Sequence, residues 1–113
     1  MPFINVKTTT TVTEDTRKEL YTQICKITES CLKKSENWVM LSVEDNSEMY
    51  FQKSTEQIVY VEVKALGDIS ATNSENMTSQ VTNYLSGALQ IPKDRIYVAY
   101  FGTNNWGWNG SNF

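Results

Sequence analysis

Met1-Pro2 carries the first chemistry that this sequence offers. Methionine aminopeptidase generally accepts small second residues, proline included, so processing is expected to expose the secondary amine of Pro2. An α-amino group titrates at about 7.7–8.0 when unperturbed, and burial in an apolar site disfavours its charged form and lowers that value. Such an amine is a general base usable at neutral pH. The plainer reading of Met-Pro is a rigid start to a strand. Histidine is absent, which removes Ser-His-Asp and Cys-His catalysis together with the commonest transition-metal ligand. Acid–base chemistry near neutral pH therefore falls to another group.

Two further groups of residues bear on a site. Lys33-Lys34 follows a helical pattern, where lysines commonly answer the macrodipole; the functional reading is that one of them holds a substrate carboxylate. The tail Trp106-Gly107-Trp108-Asn109-Gly110-Ser111-Asn112-Phe113 reads either as a hairpin packing on the core or as the wall of a pocket that accepts aromatic groups. Cys25 and Cys31 lie six residues apart in one helical pattern, about 9 Å at 1.5 Å per residue, which is beyond disulfide reach. They read as reduced, packed thiols, and no CxxC pair suggests a redox or zinc site. Asn76-Met77-Thr78 and Asn109-Gly110-Ser111 match the glycosylation sequon and read as incidental.

The elements that must position these groups come in two copies. Apolar positions repeat with an offset of 57 residues, the separation of Ile4 and Val6 from Val61 and Val63. The repeats span about 1–45 and 58–102, and each reads as strand, helix, strand. Leu20, Ile24, Ile27 and Cys31 answer to Met77, Val81, Tyr84 and Ala88, a spacing that lines one helical face. Val39, Leu41 and Val43 answer to Ile96, Val98 and Tyr100, enriched in strand formers. Thr13 precedes the first helix, Thr72 with Glu75 has the form of a capping box, and Pro92 ends the second helix. Asp45-Asn46-Ser47 and Gly67-Asp68 read as turns, with a short strand expected over Met49 to Phe51.

Two βαβ units of this kind predict an α/β (α+β) fold, a four-stranded mixed sheet with both helices on one face. At 113 residues the whole span 1–113 reads as one domain. The other sheet face would carry Phe3, Trp38, Met40, Tyr60, Tyr97, Ala99 and Phe101 among Asn5, Ser42, Glu62 and Lys64. Self-association would cover those apolar groups; an open, half-wet sheet is the other solution. A net charge of −3 with scattered lysines argues against nucleic acid as a partner. No stretch reads as a secretory signal or a membrane span, so the expected location is cytoplasmic.

Taken together, these pieces resemble the macrophage migration inhibitory factor (MIF) family of the tautomerase superfamily along essentially the whole chain. The similarity is carried by Met1-Pro2, Leu66-Gly67, Asp94-Arg95-Ile96-Tyr97 and the tail Gly107 to Phe113. It implies a homotrimer of three sheets closing into a barrel, and a keto–enol tautomerase that uses no cofactor. The substrates would be small aryl 2-keto acids of the phenylpyruvate type, and dopachrome esters. Pro2 would be the base, Lys34 would pair with the substrate carboxylate, and the Leu66 backbone would add a hydrogen bond. Tyr97 would come from a neighbouring subunit, with Phe3, Trp38, Trp106, Trp108 and Phe113 lining the mouth.

This sequence departs from the family at three places. Ala99 stands where vertebrate members carry asparagine, and Lys33-Lys34-Ser35 replaces Gly-Lys-Pro, so either lysine could reach the pocket. Ile58 and Val61 occupy the positions of the vertebrate CxxC, so no thiol-oxidoreductase activity is carried over. The resemblance also implies an alternative role, a cytokine-like protein secreted without a signal peptide. That protein would bind a cell-surface receptor such as the MHC class II invariant chain, with vestigial tautomerase activity.

Overall fold

Alternation of apolar and polar residues gives strand β1 (Pro2–Thr8) two unlike faces: Pro2, Ile4, Val6 and Thr8 are buried, and Phe3, Asn5 and Lys7 are half-exposed. The computed structural model describes residues 1–113. Helix α1 (Glu14–Leu32) and a 3-10 turn (Glu36–Trp38) lead into β2 (Met40–Glu44). Strand β3 (Val59–Leu66), helix α2 (Ala71–Leu89), a second 3-10 turn (Lys93–Arg95) and β4 (Ile96–Thr103) follow. The tail closes with β5 (Gly107–Trp108) and β6 (Ser111–Asn112).

The main sheet has the order β2-β1-β3-β4. Each helix joins a parallel pair, β1 to β2 and β3 to β4, and the halves meet in the antiparallel pair of β1 and β3. Pairing places Pro2 opposite Ala65, Val6 opposite Val61 and Thr8 opposite Val59. Between sheet and helices lies a core in which Ile4, Val6, Leu20, Ile24, Val61, Val63, Met77, Val81 and Leu85 are fully buried. Each such side chain contributes about 1.5–3 kcal/mol through lost apolar surface. Cys25 and Cys31 are buried, unpaired thiols within it.

The repeat reaches down to the caps. Thr13 and Ser70, 57 residues apart, each accept a backbone N–H in the first helical turn, from Thr16 and Asn73. Lys33 and Gln90, again 57 apart, end the two helices in left-handed conformation with φ of 58° and 55°.

Three sequence expectations change. Ser70, not Thr72, caps α2, because Ile69 packs against the core and makes Ser70 the last extended residue; Thr72 lies inside the first turn. Ala88 is exposed, and the bulkier Leu85 and Leu89 take the inner face of α2. Residues Met49 to Phe51 form no strand: Phe51 instead makes an isolated antiparallel bridge to Ser54 across a tight turn.

The other sheet face is open, and Met40, Tyr97 and Phe101 stand in solvent on it. At the end of the sheet near Pro2, the Gly67 N–H donates to the Thr103 carbonyl at 2.8 Å, with Gly67 itself at φ +89°. A β-carbon on Gly102 would collide with the Gly67 carbonyl oxygen. Gly102→Ala is therefore expected to cost about 1–3 kcal/mol by forcing this turn aside, read as a lowered denaturant midpoint at unchanged m-value.

Candidate active site

The site is built where β1 begins. Proline suits the first residue of a strand, since it has no N–H to give the ladder, and Pro2 is buried there opposite Ala65. Met1, half-buried, continues along β3: its carbonyl accepts the Leu66 N–H at 3.3 Å. With Met1 attached, the Pro2 nitrogen is an amide.

The end of α1 delivers the cation. Lys33 takes the left-handed cap position, lies exposed, and donates its ammonium to the Ser30 carbonyl at 2.8 Å, satisfying an end-of-helix carbonyl. The chain then reverses, and Lys34 reaches across to donate to the Leu66 carbonyl at 2.8 Å. Of the two adjacent lysines, Lys34 is the one that reaches Leu66 and stands near the amino terminus. Ser35 caps the 3-10 turn that follows, which sets Trp38 beside the first residues of β1.

A cleft of about 270 Å³ lies between Met1, Pro2 and Phe3 on one side and Trp38, Trp106 and Trp108 on the other. Asn37 and Met40 also line it; sequence reasoning placed Met40 only among the apolar groups of the open sheet face and gave Asn37 no role. The tail is a hairpin, with Trp108 opposite Ser111 and a two-residue turn at Asn109 and Gly110, φ of 52° and 88°, values that suit a type I′ turn. It also forms the wall: Trp108 meets Trp38 edge to face with centroids 4.9 Å apart. Phe113 stacks behind Trp108 at 6.4 Å, backing the wall rather than lining the cleft. The hairpin of the first reading forms, but Gly107 to Phe113 are exposed and do not pack on the core; the tail stands as a wall of the cleft instead.

Electrostatics favour a neutral amine here. Burial holds the Met1 amino group below its ordinary value of 8.0, and the positive charge of Lys34 adds to the effect.

Tyr97 is not brought in. It shares a sheet row with Lys7 and Tyr60, whereas Pro2 shares one with Ala65 and Gly102. Five residues of β4 separate the rows, about 17 Å at 3.3 Å per residue. Tyr97 lines a second cleft of about 310 Å³ with Phe51, Ile58, Val59, Tyr60 and Arg95. The two clefts are counterparts under the repeat: Met1, Pro2, Phe3, Trp38 and Met40 stand 57 residues before Ile58, Val59, Tyr60, Arg95 and Tyr97.

A family model described as macrophage migration inhibitory factor (MIF) matches residues 1–113. The crystal structure of the MIF2 protein of Leishmania major superposes with a TM-score of 0.94 at 32% identity, covering 100% of this chain and 97% of that one. The macrophage migration inhibitory factor of Xenopus laevis is 26% identical, covering 100% of this chain and 99% of its own length. A mouse protein named D-dopachrome decarboxylase is 25% identical, covering 94% of this chain and 90% of its own length.

The two causes of the lowered amine can be separated by NMR titration of the Met1-bearing chain. Lys34→Met is expected to raise the Met1 midpoint only part of the way toward 8.0, because burial, the larger cause, remains. A full return to the ordinary value would show that the charge alone was responsible.

Proposed function

The chain belongs to the macrophage migration inhibitory factor family, and from that premise we propose that it is a keto–enol tautomerase, working as a homotrimer, with Pro2 as general base once Met1 is removed. The observation that carries this reading is the surroundings of the amino terminus. An amine placed there is desolvated, stands near the Lys34 ammonium, and is held below its ordinary pKa. After Met1 leaves, the amine belongs to Pro2, which is more deeply buried than Met1 and fixed in the β1 ladder. Apolar surroundings and the Lys34 charge favour the neutral form of that nitrogen too. A neutral secondary amine at pH 7 can accept a proton from carbon.

The residues then divide the work. The Pro2 nitrogen takes a proton from the carbon beside the substrate ketone, the C–H electron pair becomes the C=C bond of the enol, and charge gathers on the former ketone oxygen. The proton on Pro2 is delivered to that oxygen, which completes the transfer. Lys34 turns from the Leu66 carbonyl to the substrate carboxylate, a charge-assisted bond about twice as strong as a neutral one. The Leu66 N–H, released from the Met1 carbonyl, becomes a donor for a substrate oxygen. Trp38, Trp106 and Trp108 offer aromatic surface, so a small aryl 2-keto acid of the phenylpyruvate type is the substrate class that fits.

The trimer reading draws support from the same sheet. Both edge strands, β2 and β4, are unpaired on their outer sides, and long open edges favour pairing with another copy. Tyr97, too far from Pro2 in its own chain, would reach the pocket of a neighbour. Ala99, on the same face as Tyr97, brings no polar atom with it, which leaves the anchoring of substrate to Lys34 and Leu66.

The test begins with intact mass, to establish that Met1 is absent, and with light scattering, where a trimer is expected. A chain that retains Met1, whose Pro2 nitrogen is an amide, should then show phenylpyruvate kcat/KM lower by about 10²–10⁴, the range for loss of a general base. Pro2→Gly, which keeps an amine but loses the ring that fixes it, should fall between that chain and the Met1-free protein. Lys34→Ala should raise KM by about tenfold or more, as loss of a charged hydrogen bond of ~1.5–3 kcal/mol requires. Full turnover by the Met1-bearing chain, or by a monomer, would overturn the assignment.

A further inference from the structure

Arg95 is a cation for which the mechanism above has no task. It closes the 3-10 turn before β4 and is only 6% exposed, yet it forms no ion pair. Its guanidinium instead donates to four backbone carbonyls of a single loop. Nε reaches Gln57 at 3.1 Å and Nη1 reaches Phe51 at 3.3 Å. Nη2 reaches Ser54 at 3.4 Å and Glu56 at 2.9 Å. Cζ lies 5.3 Å from the centroid of the Phe51 ring, within cation–π range. Only a planar fork of five donors can satisfy so many carbonyls from one position; a lysine ammonium has three donors and no fork.

The clamped loop is strained. Gln52 and Lys53 are consecutive non-glycine residues in left-handed conformation, φ of 53° and 59°. Phe51 and Ser54 exchange N–H to carbonyl bonds across them, both 3.0 Å. Left-handed backbone costs an L-residue roughly 1–2 kcal/mol, and such strain persists only where the surroundings over-determine it. The four Arg95 hydrogen bonds supply that determination. What the clamp fixes is a ring: Phe51 stands edge-on to Tyr97, centroids 4.9 Å apart at 64°. Tyr97 is otherwise 59% exposed, so Phe51 is the aromatic surface against which it rests.

We propose that Arg95 and Phe51 are positioning residues: by clamping the loop 51–57, the guanidinium fixes Phe51 against Tyr97 and so sets the angle at which Tyr97 is presented to a neighbouring copy's Pro2. This rests on the shared-pocket tautomerase reading given above. The cleft that corresponds to the Pro2 cleft under the repeat thus serves as the mount for a part delivered elsewhere. Trp38, the counterpart of Arg95, walls the Pro2 cleft directly.

The test is a double-mutant cycle on the Met1-free protein, with phenylpyruvate as substrate. Phe51→Leu is expected to raise KM about 3–10-fold, the range of one aromatic pair. It should leave kcat and the acidic limb of its pH profile, where Pro2 becomes protonated, unchanged, since Pro2 belongs to another element. In a Tyr97→Ala background Phe51→Leu should add nothing further to KM, the signature of two residues acting as a unit. Phe51→Tyr should restore wild-type KM, and Arg95→Lys should follow Phe51→Leu.

A second readout stands apart from turnover. In 13C-tyrosine-labelled protein the Tyr97 ring signals should be displaced by the Phe51 ring current, and the displacement should vanish in Phe51→Leu and in Arg95→Lys. An inactive wild type would defeat the tautomerase reading while leaving the ring signals to decide on the clamp. Additive KM effects in the cycle would overturn the positioning role. So would a fall in kcat at constant KM, or Tyr97 signals indifferent to both substitutions. If Arg95→Lys fails to fold, the Phe51 variants decide alone.

Discussion

An α-amino group has no side-chain torsion with which to find its place, so its position is set wholly by the strand that carries it. In this protein β1 is an inner strand, paired on both sides, with Pro2 opposite Ala65. Its register is held by Ile4, Val6 and Thr8, all fully buried between sheet and helices. A slip of one residue would turn that whole set toward the open face and carry Pro2 with it. The hydrophobic core, which makes no contact with substrate in the mechanism proposed, is therefore what aims the base. The same logic explains why the surrounding polar parts are backbone: the Leu66 N–H and carbonyl come from β3, locked to β1 by the same ladder.

Duplication gives this arrangement two ends, and they have been put to different uses. Lys34 stands just past a left-handed helix cap; 57 residues later the equivalent position after the Gln90 cap is Ile91, buried in the core. Pro2 has Val59 as its counterpart, Trp38 has Arg95, and Met40 has Tyr97. One end carries the amino terminus, the Lys34 ammonium bonded to Leu66 and aromatic walls. The other carries a clamped loop and an exposed tyrosine. In the trimer proposed above the two ends would complete each other between copies, because about 17 Å of strand separates them within one chain.

The apolar pattern made most of the scaffold legible. Strand alternation, helical faces and the offset of 57 are properties of buried residues, and burial leaves the plainest mark on a sequence. The misreadings share a physical cause, the competition between similar residues at close spacing. Ser70 and Thr72 are both able caps, and the packing of Ile69 decides between them. Ala88 and Leu89 both fall near the inner face of α2, and the larger one wins. The choice between Lys33 and Lys34, open from the residues alone, turns on Lys33 being the left-handed cap and Lys34 the residue after it, something no spacing reveals. The loop 51–57 was the least legible, because its turn uses Gln52 and Lys53 where glycine or asparagine would have announced it. Its stability is borrowed from Arg95, some forty residues away in sequence. Membership of the family came through in the sequence because Met1-Pro2, Leu66-Gly67 and the Gly107 to Phe113 tail lie far apart in the chain yet point to one relative.

The most direct measurement is a 15N NMR titration of protein labelled at proline and freed of Met1. Pro2 and Pro92 are the only prolines, and Pro92, an internal amide, does not titrate. The Pro2 nitrogen is expected to lose its proton below 8.0, as the Met1 amine in the same surroundings does, and so to be available as a base near neutral pH. A nitrogen that stays fully protonated to pH 8 and beyond would contradict the account, because a cation cannot take a proton from carbon.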